Sequence, residues 1–179
     1  MGQIWVRFIG YQWMGGQLGN RNINTSIIHC SDSKWGSAFE INKWHIARGW
    51  TGIGYHYVVL NDYPTYKSYK EKDPQDTLGS IEKGRPDDQV GAHVVNMNLH
   101  SLGICMIGVS SFRRAIRFST VKLTCRLMKK HNIAVEDVIG HCETLSGADQ
   151  GKTCPNIDMI KFRRKLRWTY PIYRLLLFK

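Results

Sequence analysis

The sequence lacks the features that define disulfide-rich scaffolds and membrane-spanning proteins. Its five cysteines are an odd number and include no pair spaced by two residues, so a disulfide framework is not predicted, although a single disulfide remains open. No run approaches the roughly 18 apolar residues that a membrane-spanning helix needs. No internal repeat is visible either. For 179 residues, these absences leave one globular domain as the simplest interpretation.

Acidic residues are scarce in this chain. The 14 Asp and Glu residues stand against 25 Lys and Arg, which gives a formal net charge of +11 and a pI near 9.6. A polyanion is therefore an expected neighbour, and a nucleic acid and the anionic cell envelope both fit. The charge alone does not choose between them, because it reports on attraction rather than on fold or reaction.

The N-terminal stretch gives no clear structural signal. It is aromatic and apolar, but Gln12 interrupts it and no small-residue cleavage site follows, so a signal peptide is only a weak interpretation. We divide the chain into an unassigned arm at residues 1–20, a folded domain at 21–168 with a loop insertion at 62–78, and a C-terminal tail at 169–179.

Hydrophobic periodicity in the folded domain predicts strands that alternate with helices. The predicted strands cover residues 21–29, 55–60, 79–83, 102–109 and 138–139, and the predicted helices cover 37–48, 119–130 and 156–167. The strand at 102–109 is apolar almost throughout, so we expect it at the centre of the sheet, covered on both faces. This alternation indicates an α/β fold.

Local signals refine the predicted helices. Ser37 and Glu40 have the spacing of a capping box that would begin the first helix. Apolar spacing places Ile41, Trp44 and Ala47 on the buried face of that helix, and Ile160 and Leu166 on the buried face of the last one. Ser119 is the predicted N-cap of the second helix, and Asn132 is the residue that ends it.

The stretch from Val138 to Asp158 carries chemistry rather than packing. Gly140 lets the backbone turn after a short strand, which places the imidazole of His141 in a cleft. Cys154 follows thirteen positions later, and Pro155 suits the first turn of a helix. We therefore expect Cys154 at a helix N-terminus, where the dipole lowers a thiol pKa. A thiolate and a neutral imidazole are ligands that suit Zn²⁺.

A third candidate ligand, His29, ends an apolar strand near the start of the domain. Three protein ligands leave one position for water, which is the arrangement of catalytic zinc. Lys152 would bring an ammonium group near such a metal, and Tyr55 could offer its hydroxyl to a developing oxyanion. Cys30 and Cys142 each follow a candidate ligand, so we expect both to point to the opposite side.

The motifs around these residues resemble the zinc-dependent N-acetylmuramoyl-L-alanine amidases of the phage-lysozyme and peptidoglycan-recognition-protein type. The resemblance covers about residues 23–164. The matching motifs, in chain order, are Ile-Ile-His-Cys-Ser (27–31), Arg-Gly-Trp (48–50), Gly-Tyr-His-Tyr-Val-Val (54–59), Gly-Arg-Pro (84–86), Gly-Ala-His (91–93), Ser-Leu-Gly-Ile-Cys (101–105), Ile-Gly-His (139–141) and Lys-Thr-Cys-Pro (152–155).

The resemblance implies one zinc ion per chain on His29, His141 and Cys154, with Tyr55 and Lys152 in the assisting roles. It implies cleavage of the amide that joins the lactyl group of N-acetylmuramic acid to L-alanine. The family fold is a central mixed β-sheet flanked by helices, with zinc at the bottom of a groove. Peptidoglycan is the implied partner, and neither a nucleic acid nor a membrane span is expected.

By position in the family pattern, His56, His93 and Arg48 are expected in the groove or behind the metal ligands. We expect a monomer that acts on the bacterial cell wall as a phage or prophage endolysin. Holin-type release from the host cytoplasm and an unrecognised export signal both remain open as its route to the wall. Two departures from the pattern are the insertion at 62–78 and Cys142, where relatives often carry a basic or aromatic residue.

Two alternatives to an amidase remain open at this point. A non-catalytic peptidoglycan-binding module of the same family would typically lack the cysteine ligand, whereas Cys154 is present. A protein that binds a nucleic acid through its charge would bind with a steep salt dependence and without zinc.

Overall fold

The apolar runs of the chain form a six-stranded sheet in the computed structural model, which describes residues 6–7 and 21–176. The strands are β1 (Val6–Arg7), β2 (Thr25–Cys30), β3 (Tyr57–Val59), β4 (Ile81–Lys83), β5 (Ser101–Met106) and β6 (Val138–Gly140). Their spatial order is β1-β4-β3-β5-β2-β6, and every neighbouring pair is parallel except the antiparallel pair β3–β4. This mixed sheet confirms the predicted fold class.

Helices cover both faces of the sheet. They are α1 (Ala38–Ala47), α2 (Tyr66–Lys70), α3 (Arg114–His131), α4 (Leu145–Asp149) and α5 (Met159–Leu176), with a short 3₁₀ helix at His141–Glu143. Side chains of α3 and α5 share one hydrophobic core with alternate residues of β2, β3 and β5, and α1 packs in a second core on the other face. Strand β5 lies between β3 and β2 with all six residues buried, which confirms its predicted central place.

Helix α3 begins at Arg114 rather than after Ser119, so the predicted N-cap was wrong. The basic residues before Ser119 are helical because Ile116 is already buried, 3% exposed, and continues the apolar stripe of the helix. Asn132 ends the helix in a left-handed conformation (φ 54°), as predicted.

Helix α5 differs from its prediction at both ends and in its buried face. Asn156 has a left-handed backbone (φ 58°), so the helix begins only at Met159, and it continues to Leu176 through the boundary that we drew at residue 168. Ile160 is 74% exposed and was predicted wrongly. Leu166 is buried as predicted, and Met159 and Phe162 complete the buried face.

Smaller differences concern the first half of the domain. In α1, Ser37 accepts the hydrogen bond from the Glu40 N–H (3.3 Å) that the capping box predicts, but Ala47 is exposed rather than buried. The ladder of β3 is limited to Tyr57–Val59. The inserted segment 62–78 contains α2, whose first turn is capped by Thr65. Within residues 21–176, no helix combines the length and apolar character needed to cross a bilayer.

Candidate active site

Three candidate ligands from distant parts of the sequence meet at one edge of the sheet. Strands β2 and β6 are parallel neighbours, with Ile28 paired to Gly140, so the residues that follow, His29 and His141, lie side by side. The centroids of their imidazole rings are 4.8 Å apart. Cys154 lies in the turn before α5, with its Sγ 3.9 Å from Nδ1 of His29.

We call His29, His141 and Cys154 the ligand cluster. One donor atom from each lies within 4.8 Å of the others. Burial, and then the charge of His141, hold the pKa of His29 well below its ordinary value. The ring is therefore neutral at physiological pH, the form in which an imidazole binds a metal. Two neutral imidazoles and one thiol are a donor set that fits Zn²⁺.

Cys154 does not occupy a helix N-terminus, because α5 begins five residues later at Met159. Its Sγ instead accepts a hydrogen bond from the backbone N–H of Cys30 (3.2 Å). A hydrogen bond to the Cys30 thiol, and then burial, raise the pKa of the metal-free Cys154 thiol above its ordinary value. The expected lowering by a helix dipole is therefore wrong.

Cys30 lies closer to the ligand cluster than we predicted. Its side chain belongs to the core on the α3 and α5 face, as strand alternation requires, but Cys154 packs against the same core. The two thiols therefore form a hydrogen-bonded pair, which lowers the pKa of Cys30. Sequence alternation locates Cys30 but gives no information about the turn that brings Cys154 to the same side.

His93 connects the ligand cluster to the interior. Its Nδ1 lies 3.1 Å from Nε2 of His29, and its Nε2 lies 3.4 Å from Oγ of Ser101. The hydroxyl of Ser101 donates to the carbonyl of Met97 (2.7 Å). Since Nδ1 of His29 faces Cys154, its Nε2–H is the atom that donates to His93. His93 therefore fixes the tautomer and the orientation of a ligand ring.

His56 lies deeper than the groove. It is fully buried, its Nδ1 accepts a hydrogen bond from the Gly103 N–H (3.0 Å), and its Nε2 lies 3.0 Å from the Gln89 carbonyl. Burial is the largest cause that lowers the pKa of His56, to about 3. The ring contacts His93 edge to face, with 5.7 Å between centroids, and supports it from behind.

Tyr55 contacts His29, whereas Lys152 acts on His141 through its charge. The ring of Tyr55 is tilted against that of His29, with 5.0 Å between centroids. Burial raises the pKa of Tyr55 well above its ordinary value, so its hydroxyl keeps its proton and remains a donor. Lys152 is exposed at the rim, where its charge contributes to lowering the pKa of His141 after the larger effect of burial.

A groove of about 730 Å³ is lined by two members of the ligand cluster, His141 and Cys154. Arg48 is exposed in its lining, beside His45 and Trp50, whose rings are 4.4 Å apart. Sequence reasoning missed His45, Trp50 and other lining residues, which are Asp32, Val94, Val95, Asn98, Ser146, Gln150 and Asn156. Asn98 is held in place by two hydrogen bonds that its Oδ1 accepts from the N–H groups of His93 and Val94.

The chain is similar in sequence to a protein family and to phage endolysins. The family model described as N-acetylmuramoyl-L-alanine amidase matches residues 19–157. The endolysin of Enterobacteria phage K11 is 33% identical over 85 residues, 46% of this chain and 46% of that protein. The endolysin of Escherichia phage T7 is 28% identical over 150 residues, 78% of this chain and 84% of that protein. The match thus spans about half the length of the K11 relative.

A solved structure extends the similarity over nearly the whole chain. N-acetylmuramoyl-L-alanine amidase LysC from Clostridium intestinale URNW superposes with a TM-score of 0.72 at 25% identity, covering 91% of this chain and 97% of that one. Because the family match includes both histidines and the cysteine of the ligand cluster and most of the sequence, the chain belongs to the N-acetylmuramoyl-L-alanine amidase family.

Proposed function

We propose that this chain hydrolyses the amide bond between N-acetylmuramic acid and L-alanine in peptidoglycan, as an endolysin that acts on the bacterial cell wall. The observation that carries the proposal is the ligand cluster, whose three donor atoms lie within 4.8 Å of one another and whose His141 and Cys154 line a groove. One zinc ion per chain on these residues is part of the proposal.

The residues around the cluster have separate roles in the proposed amide hydrolysis. Bound Zn²⁺ supplies Lewis-acid activation of water and of the scissile carbonyl. Tyr55, kept protonated by burial, donates a hydrogen bond to the oxygen on which negative charge develops. Lys152 adds a positive charge at the rim, and His93 holds the His29 ring in position.

The groove has the size and chemistry of a site for a sugar-linked peptide. About 730 Å³ lies within the usual range for ligand sites, roughly 300–1,000 Å³. Its lining combines a guanidinium from Arg48 and amides from Asn98 and Gln150 with the apolar side chains of Val94 and Val95. Such a surface can bind backbone amides and carboxylates of a stem peptide together with its aliphatic side chains.

The test is product analysis on a defined soluble muropeptide, N-acetylmuramoyl pentapeptide, and on purified cell-wall sacculi. We expect free peptides with a new N-terminal alanine and no new reducing sugar ends, and about one zinc per chain by elemental mass spectrometry. Cys154→Ala should lose both zinc and activity. Cys125→Ala, at a buried cysteine of α3 outside the groove, is the matched control and should retain both.

A fully active Cys154→Ala protein would refute the proposed mechanism. Tight retention on sacculi without any released peptide would instead support a non-catalytic recognition module. Binding to a nucleic acid that falls steeply with salt, with neither wall binding nor zinc, would support the charge-driven alternative.

A further inference from the structure

The outward face of α5 combines exposed apolar side chains with basic ones. We define this face by Lys161, Arg164, Lys165, Trp168, Ile172 and Leu175. Residues 164 and 165 are adjacent, and all other successive members are separated by three or four positions. The six residues therefore lie on one side of the helix. The opposite side carries the buried residues Met159, Phe162 and Leu166.

The apolar part of this face is unusually exposed. Trp168 and Leu175 are each 74% exposed and Ile172 is 60% exposed. Single exposed apolar residues are common on soluble proteins, but three large ones on adjoining turns form a patch that favours contact with another surface. An indole next to aliphatic side chains is the composition of helices that lie in the headgroup region of a bilayer.

The basic residues of α5 favour a partner surface that is negatively charged. The helix has six basic residues and no acidic one. Arg163 and Arg167 pair with Glu143 and Glu136, and Lys161 lies 3.3 Å from Asp158. Arg164 and Lys165 have no acidic partner among residues 21–176. Two unpaired cations therefore lie one helical turn from the apolar patch.

We propose that the outward face of α5 docks on an anionic phospholipid bilayer. Trp168, Ile172 and Leu175 enter the headgroup region, and Arg164 and Lys165 bind the lipid phosphates. A second copy of the chain fits poorly, because a symmetric contact would bring two helices without acidic residues together. A bilayer supplies both of the required partners, an apolar layer and the negative charge above it.

This docking leaves the groove open. No residue of α5 lines the groove. The last lining residue in the sequence is Asn156, which precedes the helix. The helix packs on α3 and β6 through its other side. Membrane association is therefore separable from catalysis and goes beyond the proposed hydrolase function.

The experiment is co-sedimentation of the full chain with vesicles of phosphatidylglycerol and phosphatidylethanolamine, and with vesicles of phosphatidylcholine. We expect binding to the anionic vesicles only. The triple variant Trp168→Ser/Ile172→Ser/Leu175→Ser should lower the partition coefficient at least about tenfold. Arg164→Gln/Lys165→Gln should lower it roughly tenfold and weaken its dependence on salt.

The matched control is Ile46→Ser/Leu145→Ser, which removes two exposed apolar side chains from α1 and α4. It should bind the vesicles like the parent chain. All three variants should keep the parent's thermal unfolding midpoint and its hydrolysis of soluble muropeptide, which shows that the fold and groove are intact.

Three results would overturn the proposal. The first is a triple variant that partitions like the parent, since the attraction would then be purely electrostatic. The second is a parent chain that is dimeric by light scattering and becomes monomeric in the triple variant, with vesicle binding unchanged. The third is retention on lipid-free sacculi that the triple variant loses, without binding to vesicles, which would make the wall polymer the partner.

Discussion

The ligand cluster and the surroundings of Asp87 are two buried polar groups that differ in how charge is balanced. Asp87, 9% exposed, accepts hydrogen bonds from the Tyr57 hydroxyl (2.7 Å) and the Lys130 ammonium (2.6 Å), and it pairs with Lys83. His131 lies 3.4 Å from the same carboxylate. We call these five residues the Asp87 cluster. The ligand cluster contains no carboxylate, and its histidines have lowered pKa values.

The two clusters show that similar burial has opposite consequences when the donors differ. Burial alone would raise the pKa of Asp87, but the charge of Lys83 and the donated hydrogen bonds lower it below its ordinary range. That carboxylate is satisfied by Lys83, Lys130 and Tyr57 and has no capacity for a further cation. The ligand cluster instead presents neutral nitrogen and sulfur donors toward a common point, with no protein cation among them, so an added metal ion would complete it.

Among the substitutions that distinguish the two clusters, His29→Ala is expected to have the largest effect on zinc binding and activity. Removing one of three ligands should abolish stoichiometric zinc binding and lower amide cleavage at least ~10³-fold, about 4 kcal/mol in transition-state free energy. Activity on soluble muropeptide and zinc content measure the result. A variant that binds zinc normally and retains more than a tenth of the activity would contradict the assignment of His29.

Asp87→Ala should have the reverse outcome. It should lower the free energy of unfolding and leave the hydrolytic activity intact. It leaves Lys83 half-buried without its carboxylate partner and removes the acceptor of the Tyr57 hydroxyl, which typically costs about 3–5 kcal/mol in the free energy of unfolding. Urea unfolding measures the loss, and activity per folded molecule should stay within about twofold of the parent. Asp62→Ala is the control, because Asp62 pairs with the exposed Arg113 and losing this pair should cost less than about 1 kcal/mol. Equal effects of the two substitutions would contradict the structural role of the Asp87 cluster.

His93 tests whether the ligand cluster depends on the groups behind it. His93→Leu removes the acceptor for Nε2–H of His29 and should weaken zinc affinity about 10–100-fold. His93→Asn can place its Oδ1 where the histidine Nδ1 stood, so it should restore part of the affinity. Competition with a chelator of known affinity gives both values. If the two variants lose affinity equally, the acceptor at this position has no orienting role.

Strand geometry made the positions of two of the three candidate ligands predictable and left the position of the third uncertain. His29 and His141 follow paired residues of parallel strands, and an apolar run that ends in a polar residue signals such a position. Cys154 depends on a turn that includes the left-handed Asn156, and no hydrophobic period reports on such a turn. The residue types and the proline after Cys154, rather than the periodicity, suggested its grouping with the histidines, and the resemblance to a family implied the same set.

Long-range contacts and helix surfaces were the least predictable features. The hydrogen bond between His29 and His93 joins residues 64 positions apart, so only the assembled sheet reveals it. Ile160 was assigned to the core by its apolar spacing, but it lies six positions before the buried Leu166, about 120° away around the helix axis, and is exposed. Trp168 and its apolar neighbours also lie outside the core.

Lowering the pH should reduce the free energy of unfolding through the buried neutral histidines in one pH range and through Asp87 in another. Burial lowers the pKa of His56 to about 3, whereas an unfolded histidine binds a proton below about pH 6.5. The unfolded state therefore binds more protons, and the free energy of unfolding falls as the pH decreases through 6.5 toward 3. Between pH 7 and 5.5, one such group contributes a loss of about 1 kcal/mol.

Asp87 contributes in a different window and with a different cause. Its folded pKa is lowered, so its stabilisation is complete above the unfolded value near 3.9 and is lost only as the pH falls below that value. Urea unfolding at pH 7 and 5.5, in one metal-loading state, distinguishes the two. His56→Asn, which keeps an acceptor for the Gly103 N–H, should have a smaller pH slope than the parent, and Asp87→Asn should keep the parent slope. An unchanged slope in His56→Asn would mean that the buried ring is protonated in the native state, against the hydrogen bond from Gly103 that its Nδ1 accepts.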